Sequence, residues 1–253
     1  MKFTIVTINY NNKDGLRQTI ISVIEQLCQD FEYIIIDGGS RDGSLEVIKE
    51  YNDKIDYWES AADSGIYHAM NKGLLQVHGD WVIFMNSGDV FANKEVLGWV
   101  DSLVVPENIG IIYGDSFEKD ASGQKKYLKA LPFWESKDYL HHKGICHQSS
   151  FTKALLAKKY QFDQQFMIAA DYKMFYEIYM DGFSFYYLPQ AVSVFDTCGI
   201  CHRNRKQAFK EDAIILGKYK TLKYYYFYLK KFYYYRLEWA VSSRVRRILN
   251  KIE

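Results

Sequence analysis

Proline is nearly missing from this chain: only Pro106, Pro132 and Pro189 punctuate its 253 residues. With no low-complexity linker and no internal repeat, the expectation at roughly 150 residues per domain is one large domain, or one domain and a tail. Cysteine is scarce too. Cys28, Cys146, Cys198 and Cys201 have no spacing that would make a disulfide framework for a chain this size. No apolar run approaches the ~18 residues a membrane span needs. The segment from Phe3 to Ile8 is too short and too Thr-rich for the apolar core of an export signal. A cytosolic protein with reduced thiols is therefore expected. An excess of either charge is also lacking: 32 Lys and Arg face 31 Asp and Glu, so no bulk attraction to nucleic acid is expected.

What is present is a globular composition, 48% hydrophobic and 25% charged, which excludes wholesale disorder. The balanced charge hides an asymmetry. Residues 1–202 carry a net −9 and residues 203–253 a net +10. An acidic catalytic or binding body with a basic tail for an anionic surface is the implied arrangement.

The first half alternates strand-like and helix-like segments. Phe3 to Asn9 is apolar and β-rich, and Leu16, Ile20, Val23, Ile24 and Leu27 then recur at helical spacing. Phe31 to Asp37 reads as a second buried strand. Asp42 is placed to cap a helix carrying Leu45, Ile48 and Tyr51. Trp81 to Met85 reads as another strand, and Asn93 as the cap of a helix with Leu97, Val100 and Val104. This alternation predicts βαβ crossovers and a mostly parallel sheet flanked by helices. The second half is more mixed, with a helix expected over 170–180, a strand over 183–195 and a helical tail from near Arg203. The division expected is a nucleotide-binding half (1–105), an acceptor half (106–202) and the basic tail (203–253).

In open α/β sheets, ligands bind beyond the carboxyl ends of the strands. Three short polar turns fall there: Asn9-Tyr10-Asn11-Asn12, Asp37-Gly38-Gly39-Ser40 and Asn86-Ser87-Gly88-Asp89. One such turn is ordinary βα chemistry; three on one edge point to a polar ligand. Asp37 is placed to accept from a base N–H or a ribose hydroxyl. Asp89, after a small-residue turn, suits the one or two carboxylates a protein usually contributes to a Mg²⁺ or Mn²⁺ site. The spacing of Gly38, Gly39 and Gly43 does not fit a dinucleotide fingerprint. In the run 63–73, Asp63 reads as an N-cap over a buried stripe of Ile66, Met70, Leu74 and Val77, and a helix N-terminus attracts a diphosphate. Asn71 and Lys72 lie off that stripe.

Taken together, Thr7-Ile8-Asn9-Tyr10-Asn11, the stretch 36–43, Asp63-Ser64-Gly65-Ile66-Tyr67, Ala69-Met70-Asn71-Lys72-Gly73 and Met85-Asn86-Ser87-Gly88-Asp89 resemble family 2 glycosyltransferases of the GT-A fold. The resemblance is to the bacterial branch that builds capsule, exopolysaccharide and O-antigen units, and it covers roughly residues 1–200. His147-Gln148, Ala170-Asp171-Tyr172 and Phe195-Asp196 extend it. It implies an inverting transfer from a nucleotide-diphosphate sugar, expected to be UDP-linked, to a glycan or lipid-linked acceptor in surface polysaccharide synthesis. It implies that Thr7, Asn9 and Tyr10 line the base pocket, that Asp37 binds the base, and that Asp63 serves the base or ribose. It puts Asn71 and Lys72 near the ribose–diphosphate, makes Asp89 the acid for Mg²⁺ or Mn²⁺, and makes Asp171 the catalytic base. The pattern departs from the family in four places: one acid in the metal motif, Ala61-Ala62 for Glu-Pro, His68 where Asp is common, and Ala170 for the first acid of a Glu-Asp pair.

Several of these residues have a plainer reading. Asp171 suits a helix cap as well as a base. His147 and Gln148 suit a satisfied polar pair as well as a sugar- or acceptor-binding pair. Cys198-Gly199-Ile200-Cys201-His202 has the spacing of a haem attachment site, which needs export; we read it as incidental. The tail combines Tyr, Phe and Trp with Lys and Arg over 219–239, then Val241, Val245, Ile248 and Ile252 at helical spacing. Rings and cations together suit an anionic inner-membrane surface, which places the enzyme at the cytoplasmic face as a peripheral protein. The alternatives are a helix packed on the body or in a homodimer; the acidic body argues against nucleic acid. For the chain as a whole, the alternatives are a non-catalytic nucleotide-sugar-binding scaffold and a sugar nucleotidyltransferase. The latter carries a Gly-rich, basic loop where this sequence has Asn9-Tyr10-Asn11-Asn12-Lys13.

Overall fold

The computed structural model of the chain describes residues 2–120, 122–133, 145–196 and 204–234. In chain order its elements are β1 (Phe3–Asn9), α1 (Lys13–Ile24), β2 (Phe31–Asp37), α2 (Ser44–Glu50), β3 (Tyr57–Ser60), α3 (Ile66–Gln76), β4 (Trp81–Phe84), β5 (Val90–Phe91), α4 (Val96–Asp101), β6 (Ile109–Lys119), β7 (Lys125–Leu128), β8 (Ser150–Lys153), α5 (Ala154–Tyr160), α6 (Ala170–Met180), β9 (Ser184–Asp196), α7 (Arg205–Ile215) and α8 (Leu222–Leu229). The strands form one sheet in the order β3-β2-β1-β4-β8-β6-β9-β5, with β7 beside β6.

The all-apolar centre of β1 explains its position. Every residue of the strand is buried, as expected of a strand covered on both faces. It pairs in parallel with β2 on one side and β4 on the other. The order in which strands are added therefore reverses at β1, the switch point beside which a ligand crevice lies in such sheets, beyond the carboxyl ends of β1, β2 and β4. The sheet is parallel through these strands and β3. Beyond β4 it is mixed: β8 runs antiparallel to β4 and β6, while β6 and β9 pair in parallel over a long, bulged register. The core lies on both faces. Ile5, Leu16, Ile20, Ile35 and Leu97 pack on one side; Val6, Ile34, Met70, Leu74, Phe162 and Ile178 pack on the other. Gly73 lets α3 sit close to β1, since a Cβ there would lie 2.5 Å from Val6 Cγ1.

Three helix starts differ from expectation, each for the same reason. Asp63, Asp42 and Asn93 accept from the backbone N–H two residues on (Gly65, Ser44 and Glu95), forming Asx turns that precede the helix rather than cap it. The residues at the cap positions are Gly65, Gly43 and Glu95. The buried face of α3 is accordingly Tyr67, Met70 and Leu74 with Ala69 and Gly73, while Ile66 is exposed. Leu27 and Val104 are also exposed, lying past the ends of α1 and α4.

The basic segment is built into the body where it is described. Buried Glu211 of α7 accepts from the backbone N–H groups of Met167 (3.0 Å), Ile168 (2.9 Å) and Ala169 (2.9 Å), which lead into α6. These three N–H groups lie in the loop up to the helix cap Ala169, and a side chain from another helix satisfies them. Phe209 of α7 in turn packs against Tyr224, Tyr228 and Phe232. Cys198, Cys201, His202 and the apolar repeat from Val241 lie outside the described residues. No described helix is long and apolar enough to cross a membrane.

Candidate active site

The three polar turns meet at the crevice and are laced together. Register places the ends of β1 and β2 side by side, Asn9 opposite Asp37. Asp37 is fully buried. Its Oδ1 accepts from Asn9 Nδ2 (2.7 Å) and Ser40 Oγ (2.5 Å); its Oδ2 accepts from Ser60 Oγ (2.6 Å), Ser40 N (2.9 Å) and Gly39 N (3.1 Å). Burial pushes this carboxyl up, but the bonds from Ser40, Ser60 and Asn9 outweigh it and hold it below its ordinary value. Five protein donors use its acceptor capacity, so Asp37 organises the turn from within. Asn12 caps α1 through Gly15 N and donates to Ser87 O (2.9 Å), which ties the first turn to the third.

Two side chains crowd Gly38, just past the end of β2. A Cβ there would lie 2.7 Å from Asp63 Oδ2 and 3.1 Å from the Tyr10 ring, so Asp63 and Tyr10 come this close only because the residue is glycine. The Tyr10 ring is largely exposed, a free face for stacking. His68 accepts from Ser64 N through Nδ1 (3.0 Å) and steadies the same loop.

Three other predicted residues are placed differently. Thr7 is fully buried, donating to Met85 O (2.8 Å) and sharing a bond with the Tyr33 hydroxyl. Asn71 bridges α3 to the chain after α5, donating to Phe162 O (2.7 Å) and accepting from Phe162 N (2.8 Å). Lys72 pairs with Glu59 of β3 at 2.7 Å.

A second constellation assembles from segments far apart in sequence. His147, in the turn before β8, contacts Asp171 Oδ2 through Nδ1 (3.1 Å) and Asn86 Nδ2 through Nε2 (3.1 Å). The ring therefore lies between Asp171 and Asn86, with one nitrogen facing each. Asp171 sits in the first turn of α6 and also accepts from Tyr172 N (2.8 Å). Asp89 is buried beside them. Burial pushes its carboxyl up to about 6, against the pull of neighbouring His147, a bond from the Gln148 side chain and one from the Asp196 backbone; the negative charge of Asp196 adds to the rise. His147 and Gln148, neighbours in sequence, thus reach Asp171 and Asp89 respectively. Asn86 and Asp196 were not singled out from sequence as site residues; the signal was their position, Asn86 opening the motif turn after β4 and Asp196 ending the long strand β9.

Two buried amide oxygens, Asn9 Oδ1 and Asn86 Oδ1, have no hydrogen-bond partner among the described residues. Both lie at the carboxyl ends of adjacent strands, where a ligand can satisfy them. Among the described residues no three His, Cys, Asp or Glu side chains form a metal-binding group by themselves.

Residues 4–164 match the model of glycosyl transferase family 2. The chain belongs to that family. An uncharacterized glycosyltransferase of Mycobacterium tuberculosis is 32% identical over 171 residues, covering 66% of this chain and 65% of the relative, so the chain spans about two thirds of that relative's length. A PGL/p-HBAD biosynthesis glycosyltransferase of Mycobacterium bovis is 26% identical over 153 residues, 59% of this chain and 58% of its own. The S. aureus TarS 1–349 crystal structure superposes with a TM-score of 0.65 at 17% identity, covering 85% of this chain and 65% of that one. The fold is GT-A: α/β, with the central sheet flanked by helices.

Proposed function

We propose that this glycosyltransferase moves a sugar, with inversion, from a nucleotide-diphosphate donor of the UDP type to a hydroxyl of a glycan or lipid-linked acceptor in surface polysaccharide synthesis. The observation that carries the reading is the bonded path Asn86–His147–Asp171, which brings the Asp171 carboxylate to the turn bearing Asp89 and supports its reading as the base. The nucleotide base binds over Gly38, in what becomes the Gly38 cleft, with the exposed Tyr10 as stacking face and Asp63 as polar edge.

In the reaction, Asp171 takes the proton of the acceptor hydroxyl as its oxygen attacks the anomeric carbon. The bond from that carbon to the diphosphate oxygen breaks on the opposite face, and its electron pair leaves with the nucleoside diphosphate. His147 holds Asp171 through Nδ1, and Asn86 meets the other ring nitrogen. The donor set fits Mg²⁺ or Mn²⁺. Asp89, with Asp196 beside it and the partnerless Asn86 Oδ1, offers hard oxygens, but too few to bind an ion without the donor's phosphates. Such an ion supplies positive charge for the departing diphosphate. A solved neighbour of this fold, a mannosyltransferase from Pyrobaculum calidifontis (TM-score 0.64, 14% identity, 85% of this chain and 62% of that one), is in complex with GDP-Man and Mn²⁺. TarS 1–349 has been crystallised with UDP-GlcNAc.

A thermal-unfolding panel of nucleotide sugars with and without Mn²⁺ tests the donor class. A ligand at a hundred times its Kd stabilises the fold by about 2.7 kcal/mol. A UDP-sugar is expected to raise the midpoint only with Mn²⁺. A panel in which no nucleoside diphosphate does so would overturn the reading, and binding without sugar transfer would favour the scaffold alternative.

A further inference from the structure

The basic segment is two-faced in a way its composition does not reveal. On α8 and the π turn that follows it (Lys230–Tyr234), the inner face carries Tyr224, Tyr228 and Phe232 against Phe209. The opposite face carries Leu222, Tyr225, Tyr226, Leu229 and Tyr233, exposed by 90%, 49%, 61%, 56% and 49%. Their spacing of three and four residues makes one continuous apolar stripe. Large apolar side chains lined up on a surface mark an interaction site, whereas scattered ones do not.

Charge decides what covers the stripe. Within residues 204–234 the only carboxylates are Glu211 and Asp212, and both are buried. Every exposed charged side chain described there is basic: Arg205, Lys206, Lys220, Lys223 and Lys230. Helical spacing sets Lys223 and Lys230 along one shoulder of the stripe. An apolar and tyrosine face with a cationic rim, on a helix too short to span a bilayer, has the chemistry of an element lying in a lipid interface. A second copy of the chain would have to bring these like charges together.

The attachment of α8 gives the stripe a bearing on catalysis. It is fixed to α7 through Phe209, and Glu211 of α7 holds the three N–H groups that lead into α6, which carries Asp171. We propose that the outer face of α8 docks on an anionic bilayer, and that α7 carries this placement to the Asp171 helix, so that the acceptor is a hydroxyl borne on a lipid in that bilayer. The statement about the acceptor rests on the reading of Asp171 above; the docking does not.

The test uses the full chain with vesicles of phosphatidylcholine alone and of phosphatidylcholine with phosphatidylglycerol. The protein is expected to sediment with the anionic vesicles at low salt and to be partly released by high salt. Combined Leu222→Ser, Tyr226→Ser and Leu229→Ser should weaken binding at least tenfold. Because these side chains are exposed, the unfolding midpoint and the response to UDP should be unchanged. Hydrogen exchange should show added protection over 222–233 and at Met167, Ile168 and Ala169 on vesicle binding. In Glu211→Gln the latter protection should vanish while sedimentation persists. Failure of the intact protein to bind anionic vesicles would overturn the proposal. So would a triple variant that still binds them, or one whose only change is from dimer to monomer. Protection confined to 222–233 in the wild type would overturn the link to the acceptor.

Discussion

The two halves of the candidate site are built on opposite principles. The donor-side turns are densely bonded: Asp37 accepts from five protein groups, Asn9, Asn12 and Ser40 tie neighbouring turns to one another, and Asn9 Oδ1 is left for a ligand. The transfer side is held by few bonds across long stretches of chain. His147 reaches 61 residues back to Asn86 and 24 forward to Asp171, and it lies beside a carboxyl that burial has pushed up to about 6. The densely bonded half leaves recognition to an exposed ring and to Asn9 Oδ1. The other half keeps a buried carboxyl that gains by meeting a cation. Substitutions on the transfer side should therefore cost turnover, and substitutions on the donor side should cost stability or donor affinity.

The largest effect is expected at Asp171. In Asp171→Asn the amide cannot take the acceptor proton, and a missing general base costs about 10²- to 10⁴-fold in rate. UDP binding should stay within a factor of a few, because the residue lies outside the Gly38 cleft. Equal losses in binding and turnover would mean that Asp171 serves only the structure of the first turn of α6.

Next comes Asp89. In Asp89→Asn, and equally on chelation of divalent ions from the wild type, Mn²⁺-dependent stabilisation by a UDP-sugar should disappear while the unliganded fold persists. The variant also replaces a buried acid with a neutral group of the same shape, so its metal-free midpoint should not fall. Wild-type turnover in Asp89→Asn would remove it from the site.

The same contrast governs what could be read without a structure. The donor-side turns are contiguous, each closing an apolar strand, so β1 and β2 were legible to the residue and their turns with them. The transfer side was legible as residues but not as an assembly. Asp171, His147, Gln148 and Asp89 were each visible, yet nothing in spacing says that Gln148 meets Asp89 while His147 meets Asp171. Mixed pairing around β8, β6 and β9 brings them together, and such long-range pairing leaves no local period. Side-chain partners were the least legible. Thr7, Asn71 and Lys72 sit in motif positions, but each finds a partner inside the protein. Glu211 lies in a basic run and shows no sign in sequence that it caps a distant loop.

Stability should respond at Asp37. Asp37→Asn removes a buried charge that five donors point at, and one of its oxygens becomes an NH₂ facing hydroxyl or backbone N–H donors. A loss of about 2–3 kcal/mol is expected, in the range for hydrogen bonds to charged groups. The pH dependence sharpens the test. The folded carboxyl lies below its ordinary value, so its contribution is fully present above the unfolded value near 3.9 and disappears as pH falls through the lower folded one. Urea titrations across that acid range should show the wild type losing this increment and Asp37→Asn lacking it. Parallel acid limbs in the two proteins would show that the carboxylate is not held as charged.

The smallest effect, and the most specific, is expected from one methyl group. Gly38 needs no left-handed backbone, so Gly38→Ala adds only a Cβ. That atom would meet Asp63 Oδ2 at 2.7 Å and the Tyr10 ring at 3.1 Å, and the ring is free to swing into solvent while the carboxylate is anchored by Gly65 N at 2.9 Å. Relief therefore comes mainly from Tyr10, and the stacking face moves off the base pocket. Lost stacking on one aromatic face is worth about 1–3 kcal/mol by analogy with single-stranded nucleic acid binding, and partial displacement only a fraction of that. KM for the donor should rise several-fold with kcat nearly unchanged, the signature of lost binding that ground and transition states share. Tyr10→Phe should keep the wild-type KM and Tyr10→Ala should reproduce the defect, with Gly38→Ala adding little to it, because both act on the same ring. A fall in kcat at constant KM would instead place Gly38 against the sugar rather than the base, and the two halves of the site would meet close to β2.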